Sequence, residues 1–193
     1  MVTAPTAWNF TAQGRGVMIL PSAGVDHNIL RIRAEEAGFT GDEVNNLLRV
    51  CVKAFPKLKL EPSLVIFRGE SFSEDYAKYL EVERELRERT GQPILHITGV
   101  DVVADMYGVK ETVSAVKGYV AKMRETGDLS ILLLKPGYPE LTKILGATAD
   151  VHLKITRKYE IVLVHGIKLR TNLYALEMDT SMGYSMPKLT PII

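Results

Sequence analysis

The chemistry-bearing side chains of this 193-residue chain are few and scattered. Its four histidines are His27, His96, His152 and His165. His27 lies in a turn-like stretch, whereas the other three fall within strand-like runs. If a turn spans residues 157–160, His152 and His165 face each other, and two imidazoles can begin a metal site. No cysteine or carboxylate is placed by sequence to complete it, so each reads as a hydrogen-bonded strand histidine. Cys51 is the single cysteine, which excludes an internal disulfide and a zinc cage built on thiolates. In a strand, such a thiol is by default buried and inert. No Ser-His-Asp or Cys-His arrangement carries a recognisable local signature. No stretch matches G-x-x-x-x-G-K-[ST], the loop whose amides and lysine cradle phosphates. Neither a catalytic residue, a metal nor a cofactor is therefore expected. Lys154, Arg157, Lys158, Lys168 and Arg170 form the one concentration of positive charge that hints at an anion surface.

The elements that must position these residues follow from periodicity and turn chemistry. GVMIL, residues 16–20, is an apolar run between Gly16 and Pro21 and predicts a buried strand. Residues 28–37 carry Ile29, Ile32 and Arg33 at helical spacing and stop at Gly38. A short helix over 41–47, a strand over 48–54 and a strand over 63–67 follow, with FPKLKLEP between the strands as a loop or edge hairpin. The clearest helix is 73–90, with Ser73 as its cap, acidic residues in its first turn and Gly91 at its end. Tyr76, Tyr79, Leu80, Val82 and Leu86 form its inward stripe, and Glu81, Arg84, Glu85, Arg87 and Glu88 face water. Strand 94–98, helix 110–126, strand 129–135, helix 139–145 and strand 151–155 complete an alternation that argues for a mainly parallel sheet. Beyond Val151 helices disappear, and VHLKITRK, YEIVLVHG and LYALEMD predict an antiparallel meander.

Composition sets the class. Apolar residues make up 46% of the chain and charged residues 24%, ordinary for a globular protein, and the length suits one domain. A net charge of +1 gives no general attraction to nucleic acid or anionic membrane. The N-terminus lacks a secretory pattern, and the longest aliphatic stretches fall far short of the roughly 20 residues that span a bilayer. A cytoplasmic protein with no membrane association is expected.

The order strand–helix–strand–helix–strand followed by antiparallel strands resembles the RecA/KaiC superfamily of ATPases. The segments NFTAQGRGVMILPSAGVD and LYALEMDTSMGYSMPKLTPI resemble archaeal KaiC-like proteins in particular, including duplicated ones with a degenerate second repeat. The resemblance implies an α/β fold: a RecA-like, mostly parallel sheet flanked by helices, with a C-terminal antiparallel meander. It also implies three functional elements that this chain lacks. The phosphate loop is absent; with GVMIL as the family's second strand, residues 1–13 correspond to the helix after that loop. Pro21-Ser22-Ala23 stands where a glutamate would polarise the attacking water. Thr98 stands where an aspartate would hold magnesium. Asp101, three residues on, is a conceivable shifted ligand but is read as capping or bordering helix 110–126. Losing phosphate cradle, base and metal ligand together removes the positioning and charge neutralisation that phosphoryl transfer needs.

Thr98, Asp101, Lys168 and Arg170 are thus the nucleotide-binding candidates, vestigial or acting in trans on a neighbouring subunit. The implied function is a non-hydrolysing paralogue or repeat with an assembly or regulatory role, as a homo-oligomer or beside an active ATPase paralogue. Two alternatives stand beside it. One is the C-terminal part of an active KaiC-like ATPase with a mis-assigned start, which the genomic DNA upstream of Met1 would reveal. The other is a DNA-binding recombination mediator, disfavoured because Asp101, Asp105, Glu140 and Asp150 stand where a DNA loop would be basic; nucleic-acid binding is expected to be weak at most. A second register is open for GVMIL, as the phosphate-loop strand followed by a decayed loop PSAGVDHN. The preferred register predicts that strands 129–135 and 151–155 pair directly or have their edges covered by another chain. The second places GVMIL between them.

Overall fold

The computed structural model describes residues 3–56, 58–181 and 186–192. Met1, Val2 and residues 182–185, which belong to segments used in the resemblance, lie outside the described residues. In chain order the elements begin with α1 (Thr3–Ala12), β1 (Val17–Leu20), α2 (His27–Glu36), α3 (Gly41–Leu47), β2 (Leu48–Lys53) and β3 (Leu64–Phe67). They continue with α4 (Phe72–Thr90), β4 (Leu95–Gly99), α5 (Val100–Tyr107), α6 (Val109–Thr126), β5 (Leu129–Leu133) and α7 (Pro139–Thr148). Four strands follow: β6 (His152–Lys158), β7 (Ile161–Lys168), β8 (Tyr174–Asp179) and β9 (Met186–Pro191).

Strands β1 to β5 form a parallel sheet in the order β3-β2-β1-β4-β5. Alternation along β1 explains its central place. Met18 and Leu20 point into a core layer with Tyr79, Leu86, Tyr119 and Met123, while Val17 and Ile19 point into the opposite layer with Ala7, Ala34, Val44 and Val50. A strand covered on both faces has no polar position, and all four of its residues are buried. Gly16 lets α4 approach: a Cβ there would sit 2.5 Å from Leu86 Cγ.

Caps set the helix ends. Thr40 and Glu43 form a capping box on α3. Ser71, not Ser73, caps α4 by accepting from the Glu74 amide at 3.4 Å, because the helix begins one residue earlier than the sequence suggests. Gly91 closes α4 with φ 64°, in the left-handed region. The stripe expected on α2 is corrected: Ile29 and Ile32 are exposed, and Leu30 and Ala34 are the residues that pack. Helix α5 was not expected from the sequence.

Strands β6-β7-β8-β9 form a separate antiparallel sheet. The expected pairing of 129–135 with 151–155 does not occur: β5 pairs only with β4, and β6 belongs to the second sheet. Nor does β1 lie between those two strands; its neighbours are β2 and β4. The physical reason is polarity. Lys154 and Lys158 alternate along β6, so it cannot extend a sheet whose faces lie under helices on both sides. Its hairpin to β7 turns at Tyr159 and Glu160, both with positive φ, as a two-residue primed turn requires.

Candidate functional site

The polypeptide leaves β1 at Pro21 and enters α2 at His27, crossing the carboxyl end of the sheet beside β4, at the strand-order reversal where open parallel sheets commonly form a ligand crevice. The crossing is tight. A Cβ at Gly99 would lie 2.6 Å from the Ser22 backbone, so the loop rests directly on the end of β4. Asp101, in the first turn of α5 and 2% exposed, accepts the Ala23 amide on Oδ2 at 3.2 Å. Its bond therefore holds this loop; it does not cap α6, whose N-cap is Gly108 with no side-chain cap bond. Asp101 Oδ1 is buried without a hydrogen-bond partner among the described residues. The amino end of α2 is closed by Asp26, whose carboxylate accepts the Asn28 amide at 2.9 Å. Lys135 donates to the Ala23 carbonyl. This end of the sheet thus carries two carboxylates, Asp26 and Asp101, and one lysine, Lys135, a poor balance for a triphosphate.

The other sequence candidates separate. Thr98 is the penultimate residue of β4, opposite Leu20 and Leu132, at the strand terminus that leads to Asp101. Lys168 lies in the second sheet and donates to the Ala147 and Ala149 carbonyls, a favourable place for a cation at the carboxyl end of α7. Arg170 is exposed in the turn after β7. The basic residues form no single patch: Lys154 and Lys158 project from one face of β6, and Arg157 projects from the other, where it pairs with Glu160. His152 and His165 are not cross-strand partners, because His152 pairs with Lys168 and His165 with Lys154 around a register shift. Cys51 is fully buried, and burial pushes its thiol well above the ordinary range, as the inert reading expects.

A second polar constellation lies under the opposite part of β4, and sequence reasoning missed it. Tyr79, Glu83 and Arg87 succeed one another at four-residue steps on α4, one face of the helix. Tyr79 Oη is 2.6 Å from His96 Nδ1 and 3.3 Å from Tyr119 Oη. His96 Nε2 stands 3.7 Å from Asp128 Oδ2 and has no hydrogen-bond partner among the described residues. Arg87 grips Asp128 with a fork at 2.5 and 3.1 Å and reaches Glu83 at 3.1 Å, while Lys122 holds Glu83 at 2.7 Å. The Asp128 carboxylate also accepts the Ile94 amide at 2.7 Å and the Thr126 hydroxyl at 2.5 Å. Burial alone would raise the Asp128 pKa. The facing His96 ring, the Arg87 fork, the Thr126 hydroxyl and the Ile94 amide outweigh it and hold the carboxyl well below the usual range. Burial drives the Tyr79 phenol in the other direction, well above its ordinary value.

Glu83, His96 and Asp128 are the one set among the described residues with ligand atoms close enough for a metal, within 4.8 Å of one another. Both carboxylates already hold cations, and the two negative and two positive side chains balance. The arrangement is an ion-pair network with buried carboxylates and partly exposed cations, tying α4 and α6 to the amino ends of β4 and β5. The signal in the sequence was Glu83, flanked by apolar Val82 and Leu86 on a face that also carries Tyr79.

The architecture is that of the RecA/KaiC class: a mostly parallel sheet flanked by helices, with a separate antiparallel sheet. Two solved structures share this fold. KaiC-like protein PH0186 from Pyrococcus horikoshii matches with a TM-score of 0.60 and 12% identity, over 96% of this chain and 82% of that one. Uncharacterized protein PH0321 from the same organism, solved in complex with an unknown peptide, matches with a TM-score of 0.59 and 11% identity, over 97% and 86%. In sequence the chain is 28% identical to GvpD1 of Halobacterium salinarum over 122 residues, 63% of this chain. It spans 21% of the length of that relative. No protein-family model matches the chain. Among the described residues no helix is long and apolar enough to cross a membrane.

Proposed function

We propose that residues 1–193 form one RecA/KaiC-like unit without a phosphate-binding loop, acting as a non-hydrolysing paralogue or repeat in assembly or regulation. The observation that carries this reading is the Ala23 amide bound to the Asp101 carboxylate. The loop after β1 is where the resembled family would carry its water-polarising glutamate; here Pro21-Ser22-Ala23 supplies no carboxylate, and the Ala23 amide is committed to Asp101, an internal anion that repels phosphate. An assembly role draws support from the second sheet, whose outer residues Leu153, Ile155 and Leu189 are each more than half exposed. A second copy of the chain or an active ATPase paralogue fits such a surface.

Calorimetry with magnesium and ATP, followed by a phosphate-release assay, tests the first half. Neither micromolar binding nor steady turnover is expected, and either would overturn it. Filter binding with single-stranded DNA at physiological salt should show only weak, strongly salt-dependent affinity; submicromolar binding would favour a recombination mediator.

A further inference from the structure

Between α4, α5 and α6, over the carboxyl ends of β1, β3 and β4, a small cavity opens whose walls are aromatic. Phe72 stacks on Tyr76 with ring centroids 5.3 Å apart and meets Tyr107 edge-on at 5.4 Å, and Tyr119 closes the inner end. The inner space is about 80 Å³. That is far below the ~300–1,000 Å³ that encloses a whole small molecule, so it admits a terminal group and not a nucleotide. Phe72 and Tyr107 also line an open outer cleft of about 420 Å³, where Glu70 and Glu111 stand exposed at the mouth.

Asp75 lines the same cavity and is 5% exposed. Its oxygens accept the Arg68 amide at 2.9 Å, the Gly69 amide at 2.7 Å and the Tyr107 hydroxyl at 2.7 Å. Burial alone would raise the Asp75 pKa; the Tyr107 hydroxyl, the Gly69 and Arg68 amides and the nearby Lys78 charge outweigh it and hold the carboxyl below its ordinary value. None of the ion pairs among the described residues includes Asp75, in contrast to Glu83 and Asp128. The nearby Lys78 commits its ammonium to the Ile66 carbonyl at 2.9 Å. A buried carboxylate in no ion pair among the described residues, lining a cavity together with Phe72, Tyr76, Tyr79, Tyr107 and Tyr119, attracts positive charge and disfavours anions.

We propose that this cavity binds an organic cation, an ammonium or guanidinium group on an apolar stem, with the charge near Asp75 and the stem along Phe72 and Tyr107. The ligand is either a free amine or a lysine or arginine side chain of another polypeptide.

The test is an amide chemical-shift titration of the full chain with n-butylammonium and n-butylguanidinium, against n-butanol as the neutral isostere. Saturable shifts around Phe72, Tyr76 and Tyr107 are expected from at least one cation, with n-butanol at least tenfold weaker. Tyr76→Leu should weaken cation binding about tenfold, and the exposed pair Glu70→Gln with Glu111→Gln several-fold. Because Asp75 also holds the 68–69 backbone, the exposed pair keeps the test valid if Asp75→Asn fails to fold. Equal binding of n-butanol, shifts mapping elsewhere, or no loss in either variant would overturn the proposal. A lysine tripeptide with blocked ends that binds tenfold more tightly than butylammonium assigns the ligand to a polypeptide; equal or weaker binding assigns it to a free amine.

Discussion

The parallel sheet and the C-terminal meander meet the same requirement, paired backbone groups, under opposite conditions of cover. Every residue of β1 is buried, and the core layers on its two sides are supplied by different helices. In the meander, Leu153, Ile155 and Leu189 share one face with Val164 and Tyr174, yet only Val164 is buried. Strand pairing therefore carries more of the second sheet's shape, with side-chain contacts such as that of Lys168 with α7 beside it, while helix packing holds the first. The lesson is energetic: hydrogen bonds contribute about 1 kcal/mol each, and burial of apolar side chains supplies most of the rest.

The largest expected effect lies where the parallel layer carries charge. Asp128→Ala leaves Arg87 without its fork and the Ile94 amide without an acceptor, and should cost about 3 kcal/mol in urea unfolding. The same network sets an acid limit. Because the folded Asp128 pKa is depressed, its stabilisation is fully present above the unfolded value near 3.9 and is lost as pH falls through the folded value. Unfolding free energy against pH should fall less steeply below about pH 4 in Asp128→Asn than in the parent chain; parallel curves would refute the assignment.

Leu86→Ala removes a side chain 1% exposed and should cost about 2–5 kcal/mol, measured the same way. Leu153→Ala, with its side chain 54% exposed, should change stability by less than about 0.5 kcal/mol in a dilute monomer. A large effect of Leu153→Ala that grows with protein concentration would show that the meander face is covered in solution. Between these lies the cap on α4: Ser71→Ala should cost about 1 kcal/mol and Ser73→Ala much less, reversing the sequence expectation. Hydrogen exchange gives the finest contrast, with β1 and β4 amides exchanging only by global unfolding and β6 and β9 edge amides opening locally.

Much of the fold was legible because its signals are local. GVMIL, SLVIF and LSILLL read as strands since buried parallel strands are short apolar runs, and Gly91 and Gly127 ended their helices because both adopt positive φ. The antiparallel meander followed from alternation. The candidate sites were less legible. Asp101 was singled out, but its partner Ala23 lies 78 residues away, and no local pattern links them. Glu83 was not singled out, because its counter-ion Lys122 lies on another helix, 39 residues on.

What the amino-acid order determined by itself was the kind of each element and its two faces, since periodicity and caps act over a few residues. The absence of a phosphate-loop motif is likewise a property of the order alone. Which strand is central, which edge is left open, and which carboxylates stand with or without a cation were decided by tertiary structure. Those outcomes depend on burying apolar faces and neutralising charge between segments distant in the chain. Strand β6 illustrates the division: its alternation is written in VHLKITRK, but its separation from β5 arises only when a sheet with two covered faces excludes its lysines.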